Sequence, residues 1–95
     1  MRELETIRAE LDGVDRELVR LFEARMALCR EVGEWKRAHG RPVLDAGREE
    51  QVLASRAALL REPGLEEQVR ELFRLLMALS RQEQLRLMGE GEEHA

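Results

Sequence analysis

Residues 4–38 read LETIRAELDGVDRELVRLFEARMALCREVGEWKRA. Apolar side chains fall at Leu4, Ile7, Leu11, Val14, Leu18, Leu21, Leu28, Val32 and Trp35, and the spacing alternates three and four once position 25 is counted. That rhythm is a heptad seam along one face of a single helix. Glu, Arg, Ala and Leu fill most other positions and favour the helix, while Gly13 and Gly33 each cost it about 1 kcal/mol against Ala. No proline interrupts before Pro42, and Gly40 supplies a stop near Ala38 or His39. The predicted helix over 4–38 is about 50 Å long. A compact single chain of this size is only about 25 Å across. The seam outruns whatever the rest of the chain can lay over it. The pattern therefore predicts a homodimer in which the long helices pack against a second copy.

Working outward, the loop Gly40-Arg41-Pro42-Val43-Leu44 leads to Asp45, a residue suited to N-capping, with Glu49 placed for the first turn beyond it. A second helix is predicted over about 46–61, with Val52, Leu53, Arg56, Leu59 and Leu60 inward. Glu62-Pro63-Gly64 breaks it. A third helix is predicted over about 65–88, with Leu65, Val69, Leu72, Phe73, Leu76, Met77 and Leu87 inward. Nothing reads as a strand, and the fold class is all-α with three helices per chain. Residues 1–88 form one helical domain, and the polar stretch GEGEEHA at 89–95 is expected to be a disordered tail.

Composition narrows the function. Cys29 is the only cysteine, so no disulfide forms within the chain, and with His39 and His94 it leaves too few soft ligands for a structural zinc site. The net charge is −4, and Glu90, Glu92 and Glu93 supply most of it, so the body is nearly neutral. Bulk charge therefore disfavours nucleic acid. Phosphate-loop and dinucleotide motifs are absent. There is no long apolar run for a membrane and no signal-peptide core in MRELETIRAE, so a soluble, cytoplasmic protein is expected.

Several polar residues stand where the pattern wants apolar ones. Arg25 lies on the seam between Leu21 and Leu28. It is either paired, snorkelling to the end of the bundle, or facing a ligand. Lys36 follows eleven residues later, within about 20° of the same azimuth and about 16 Å along the axis. The two could lean on one small anion, or Lys36 could mark the wet end of the helix. Arg8 is about 25 Å from Arg25 along a straight helix. It reaches the same ligand only if it comes from an antiparallel partner; alone it reads as a surface charge. Ser80 and Gln84 share the line of Phe73, Met77 and Leu87, where neutral polar groups either bond neighbouring helices or face a ligand. Glu49 lines up with Leu53 and Leu60, and Arg48 with Val52; both could simply form ion pairs. Cys29 and Trp35 read as packing residues. Together the set suits a small, multiply anionic molecule carrying a hydroxyl.

This ordered set resembles the AroQ-type, all-helical chorismate mutases over about Leu4 to Leu87. The resemblance runs through Ile7-Arg8, the Leu11-Asp12-x-Val14-Asp15 run, Leu21, Glu23-Ala24-Arg25, Val32-Gly33-x-x-Lys36, Arg41-Pro42-Val43, Asp45, Arg48-Glu49, Phe73, Ser80 and Gln84. Each motif alone is weak, and the ordered intervals are specific. It implies an intertwined homodimer with two active sites, an isomerase that converts chorismate to prephenate on the way to phenylalanine and tyrosine, and no cofactor or metal. By that resemblance, Arg25 and the partner's Arg8 would hold the two carboxylates. Lys36 would contact a carboxylate and the ether oxygen, and Gln84 the same ether oxygen. Glu49 and the Asp45 backbone N–H would hold the ring hydroxyl, with Ser80 and Arg48 completing the lining. Lys36, Gln84 and Arg25 would carry catalysis. Leu44 departs from members that have Arg there, and Gly47 is unusual at the start of the second helix. Competing readings are an isochorismate-pyruvate lyase on the same scaffold and a non-catalytic helical module that binds and regulates a partner enzyme. Glu49 and Arg48 together favour the mutase, and the inward polar set disfavours the module.

Overall fold

A computed structural model of the chain describes residues 1–94, and their side chains through Gly89. Helix α1 spans Leu4–Ala38, α2 spans Ala46–Ala57, a single 3-10 turn spans Pro63–Leu65, and α3 spans Glu66–His94. Among the described residues there is no strand. None of the helices is long and apolar enough to cross a membrane.

The bounds of α1 are those its heptad pattern predicts. Its stop is a Schellman motif. Gly40 takes the left-handed conformation at φ 63°, the Arg41 N–H donates to the Lys36 carbonyl at 2.8 Å, and the Gly40 N–H donates to the Arg37 carbonyl at 3.4 Å. Asp45 caps α2 as expected, its carboxylate accepting from the Arg48 N–H at 3.0 Å.

Helix α2 ends earlier than the predicted 61. The Leu59 and Leu60 N–H groups donate to Arg56 and Ala57, three residues back, so the last turn tightens. Pro63 then holds Glu62 extended, at φ −109° and ψ 98°. Leu59, predicted inward, is thereby turned out to 78% exposure. Leu65 and Leu72, also predicted inward, are exposed in this single chain. Helix α3 runs past the predicted end at 88. Gly89 is helical, as is the backbone to His94, where the sequence pointed to a tail over 89–95. No proline follows to stop the helix, and Glu is a good helix former. Ala95 lies outside the described residues.

Helix α3 is the hub, packing on both α1 and α2, which do not pack on one another directly. The closest approach is at Gly33, the buried residue of α1. A Cβ built there would lie 3.0 Å from Gln84 Cγ and 3.3 Å from Gln84 Cα. Next to Gln84, Glu83 receives Arg30 of α1 at 3.5 Å and Arg86 at 2.7 Å. These guanidiniums, Arg86 foremost, hold its carboxyl below the usual range.

The buried apolar residues are few: Val43, Val52 and Met77. The seam of α1 is uncovered, with Leu4, Ile7, Leu11, Val14, Leu18, Leu21, Leu28, Val32 and Trp35 between 42% and 60% exposed. The chain measures 60 × 27 × 14 Å and exposes 7575 Å². A compact protein of 11.0 kDa would expose about 5,600 Å².

Two glycine substitutions should move stability in opposite directions. Gly33→Ala presses a methyl on the Gln84 backbone and should lower the urea midpoint, overpacking of about 1–3 kcal/mol outweighing the gain in helix propensity. Gly47→Ala meets nothing closer than Asp45 Oδ1 at 3.8 Å and should raise stability by about 0.5–1 kcal/mol. A Gly33→Ala midpoint at or above wild type would contradict the close approach.

Candidate active site

A cavity of about 300 Å³ opens where α1, the Gly40–Asp45 loop, α2 and α3 converge. That is the lower end of the volumes small-molecule sites occupy. Seven of the eight residues singled out from sequence line it: Arg25, Lys36, Asp45, Arg48, Glu49, Ser80 and Gln84. Arg8 does not. It lies one end of α1 away, 63% exposed, beside Glu5 at 3.4 Å.

Arg25 and Lys36 are held by neighbouring elements, Arg48 and Gln84 by their own helices. The Arg25 guanidinium lies over the Phe73 ring, 6.0 Å from its centroid, with Nη1 3.5 Å from the Leu76 carbonyl and 3.6 Å from Cys29 Sγ. Lys36 Nζ donates to the Val43 carbonyl at 2.7 Å, tying α1 to the loop. Arg48 donates to Gln51 Oε1 at 2.5 Å. Gln84, 4% exposed, donates through Nε2 to Ser80 Oγ at 2.9 Å, and its Oε1 is buried without a hydrogen-bond partner. Trp35 packs instead at the end of α1, stacked on His39 at 4.0 Å with Arg41 5.8 Å from its ring centroid.

The electrostatics follow from who pairs with whom. Five cations line the cavity, Arg25, Lys36, Arg48, Arg56 and Arg81, against the carboxylates of Asp45 and Glu49. Among the described residues, the ion pairs take in only one of the five: Arg81 with Glu49, at 2.5 Å. Arg25, Lys36, Arg48 and Arg56 find only neutral acceptors. Among the described residues of one chain, Arg25 has no ion-pair partner. Four cations share the lining with one carboxylate, Asp45, that pairs with none of them, and an anion in the cavity relieves their repulsion.

Sequence reasoning missed Arg81 and gave Arg56 no role beyond the inner face of α2. A signal for Arg81 existed. It is four residues after Met77 and three before Gln84, so it shares their face. Its partner Glu49 lies on another helix, so the sequence alone did not link the two.

The family described as chorismate mutase type II matches residues 7–85, and the chain belongs to it. Among individual relatives, a T-protein of Haemophilus influenzae is 37% identical over 65 residues, 68% of this chain and 17% of the relative. A T-protein of Enterobacter agglomerans is 43% identical over 54 residues, 57% of this chain and 14% of the relative. A 4-amino-4-deoxychorismate mutase of Streptomyces pristinaespiralis is 33% identical over 63 residues, 66% of this chain and 49% of the relative. The chain thus spans less than a fifth of the T-proteins and about half of the Streptomyces protein.

The Ser80–Gln84 contact gives a stability test. Ser80→Ala removes the only hydrogen bond of the buried Gln84 amide and should cost about 1–3 kcal/mol in urea unfolding. An unchanged midpoint would show that the amide is satisfied some other way.

Proposed function

We propose that this chain is a chorismate mutase working as an intertwined homodimer, with two composite active sites. The observation that carries the reading is the convergence of seven polar residues from all three helices on one cavity whose cations are mostly unpaired. Chorismate, a dicarboxylate with an ether oxygen and a ring hydroxyl, has the charge and the donors this cavity answers. The dimer is supported by the bare seam. The chain exposes about 2,000 Å² more than a compact protein would, or about 4,000 Å² for a pair, within the range of obligate dimers.

The rearrangement is unimolecular. The ether C–O bond breaks as a C–C bond forms, and no proton or electron leaves the substrate. The chain must therefore supply conformation and charge. Arg25 and Arg8 of the partner subunit hold the two carboxylates, which restricts chorismate to its folded, reactive conformer. Negative charge builds on the ether oxygen as the C–O bond lengthens. Lys36 has three donors and uses one on Val43, so others remain for a carboxylate and the ether oxygen. A half-turn of the Gln84 amide lets the Ser80 hydroxyl donate to Oε1 and frees Nε2 for the same oxygen. The two amide orientations are alike in shape. Donors fixed in place before charge develops stabilise the transition state more than the substrate. A single such donor is worth about 3–4 kcal/mol, and a 10⁶-fold acceleration requires about 8 kcal/mol.

Glu49 and the Asp45 N–H hold the ring hydroxyl in this reading. One relative is by name a mutase of the 4-amino compound, so the group facing Glu49 decides which ring substituent is accepted. The reading carries with it a place in phenylalanine and tyrosine biosynthesis and a cytoplasmic location. The family and its relatives lend nothing to the lyase or to a non-catalytic module.

Lys36→Ala should lose most turnover, at least about a hundredfold, while circular dichroism stays that of the wild type; near-normal turnover would remove Lys36 from the mechanism. Chain mixing tests the shared site. Arg8→Ala and Lys36→Ala chains, each inactive, are unfolded and refolded together. Random pairing should restore about a quarter of wild-type activity, because half the dimers are mixed and each mixed dimer has one intact site. No recovery in proven heterodimers would exclude a contribution from the partner.

A further inference from the structure

Arg81 is the one cavity cation with a carboxylate partner among the described residues, and no role has yet been given to it. Its Nη1 donates to both oxygens of Glu49, at 2.5 and 2.6 Å. The pair bridges the first turn of α2 to α3 at the cavity wall, with side chains 34% and 25% exposed. We propose that Arg81 is the specificity-determining residue for the ring substituent: by pinning and neutralising Glu49, it makes that subsite accept a neutral hydroxyl and reject a cationic amine. The proposal rests on the mutase reading, in which Glu49 faces the ring substituent.

Charge and lone pairs set the selectivity. A carboxylate has about four lone-pair sites. The guanidinium occupies one on each oxygen and leaves acceptor capacity for a hydroxyl. A hydroxyl brings no charge and binds a neutralised carboxylate as well as it would any acceptor. An ammonium within hydrogen-bond reach of Glu49 also comes close to Arg81, and Arg48 lines the same cavity. The only other carboxylate there, Asp45, is engaged as the cap of α2. Asp45 keeps its charge while capping, but five cations against two carboxylates leave the lining net positive, so the ammonium would meet an excess of like charge. Selectivity of this kind comes from a repulsive element aimed at the wrong ligand. Without Arg81, the ionised Glu49 would stand alone on that wall and would attract the amine.

Arg81 is a positioning residue here, acting through Glu49, so the test reads a ratio that mere loss of stability would not move. Wild type, Arg81→Met and Arg81→Lys are assayed on chorismate and on its analogue with an amine in place of the ring hydroxyl, at neutral pH where the amine is protonated. The readout is kcat/KM for the amine divided by kcat/KM for the hydroxyl. The expected result is a ratio at least about tenfold higher in Arg81→Met than in wild type, with Arg81→Lys close to wild type because it restores the positive charge. If both variants keep the wild-type ratio while wild type turns over chorismate, the assignment of Arg81 is overturned and the mutase reading stands. If both variants raise the ratio alike, geometry rather than charge is decisive, and the proposal fails in that form. If folded wild type neither binds nor rearranges either compound, the mutase reading itself is lost and the proposal with it. Binding of the two compounds by calorimetry separates these cases when turnover is too slow to measure.

Discussion

A helix of 35 residues that is apolar along one side from end to end is left largely uncovered by the two helices that follow it. Everything else in the molecule depends on that mismatch. Helix α3 packs on α1 from Arg25, which reaches Phe73 and the Leu76 carbonyl, to Gly33, which meets Gln84, and the small buried core lies in the same region. The remaining seam is left open to about half exposure. Burying it is the main favourable term available, since apolar area removed from water is worth about 25 cal/mol per Å². In the proposed dimer the contact that stabilises the fold is also the one that brings Arg8 to a site it cannot reach within its own chain. Folding, assembly and catalysis then rest on one surface.

The site shows the complementary imbalance. The chain gathers cations around a cavity and leaves most of them without carboxylates. Such an arrangement weakens the free protein and, in the proposed function, prepares it for a dianionic substrate. It also fits a reaction that needs only a fixed conformation and a fixed field, with no nucleophile or proton carrier. The exception is informative. Glu49 is neutralised by Arg81, and in the proposed function it faces the substrate's neutral group, while Arg25 and Lys36, which pair with no carboxylate among the described residues, face its charge.

Much of this was legible in the sequence, for reasons that differ between residues. The bounds of α1 follow from an unbroken heptad and a Gly-x-Pro stop. Asp45 follows from capping chemistry. Arg25 stood out because a guanidinium on an apolar stripe demands an explanation. The misreadings are of positions where one chain's pattern is ambiguous. Leu59 and Leu60 extend the apolar rhythm, yet the backbone has already tightened ahead of Pro63. Leu65 and Leu72 are apolar but uncovered in the single chain. Arg81 was passed over although it shares the face of Met77 and Gln84; its partner on α2, 32 residues earlier, gives it meaning.

The account stands or falls on whether one chain suffices. Sedimentation equilibrium, run across a dilution series with turnover of chorismate followed in the same samples, decides it. The prediction is a mass twice 11.0 kDa, with specific activity declining as the pair separates. A folded species of single-chain mass that keeps its full specific activity would contradict it.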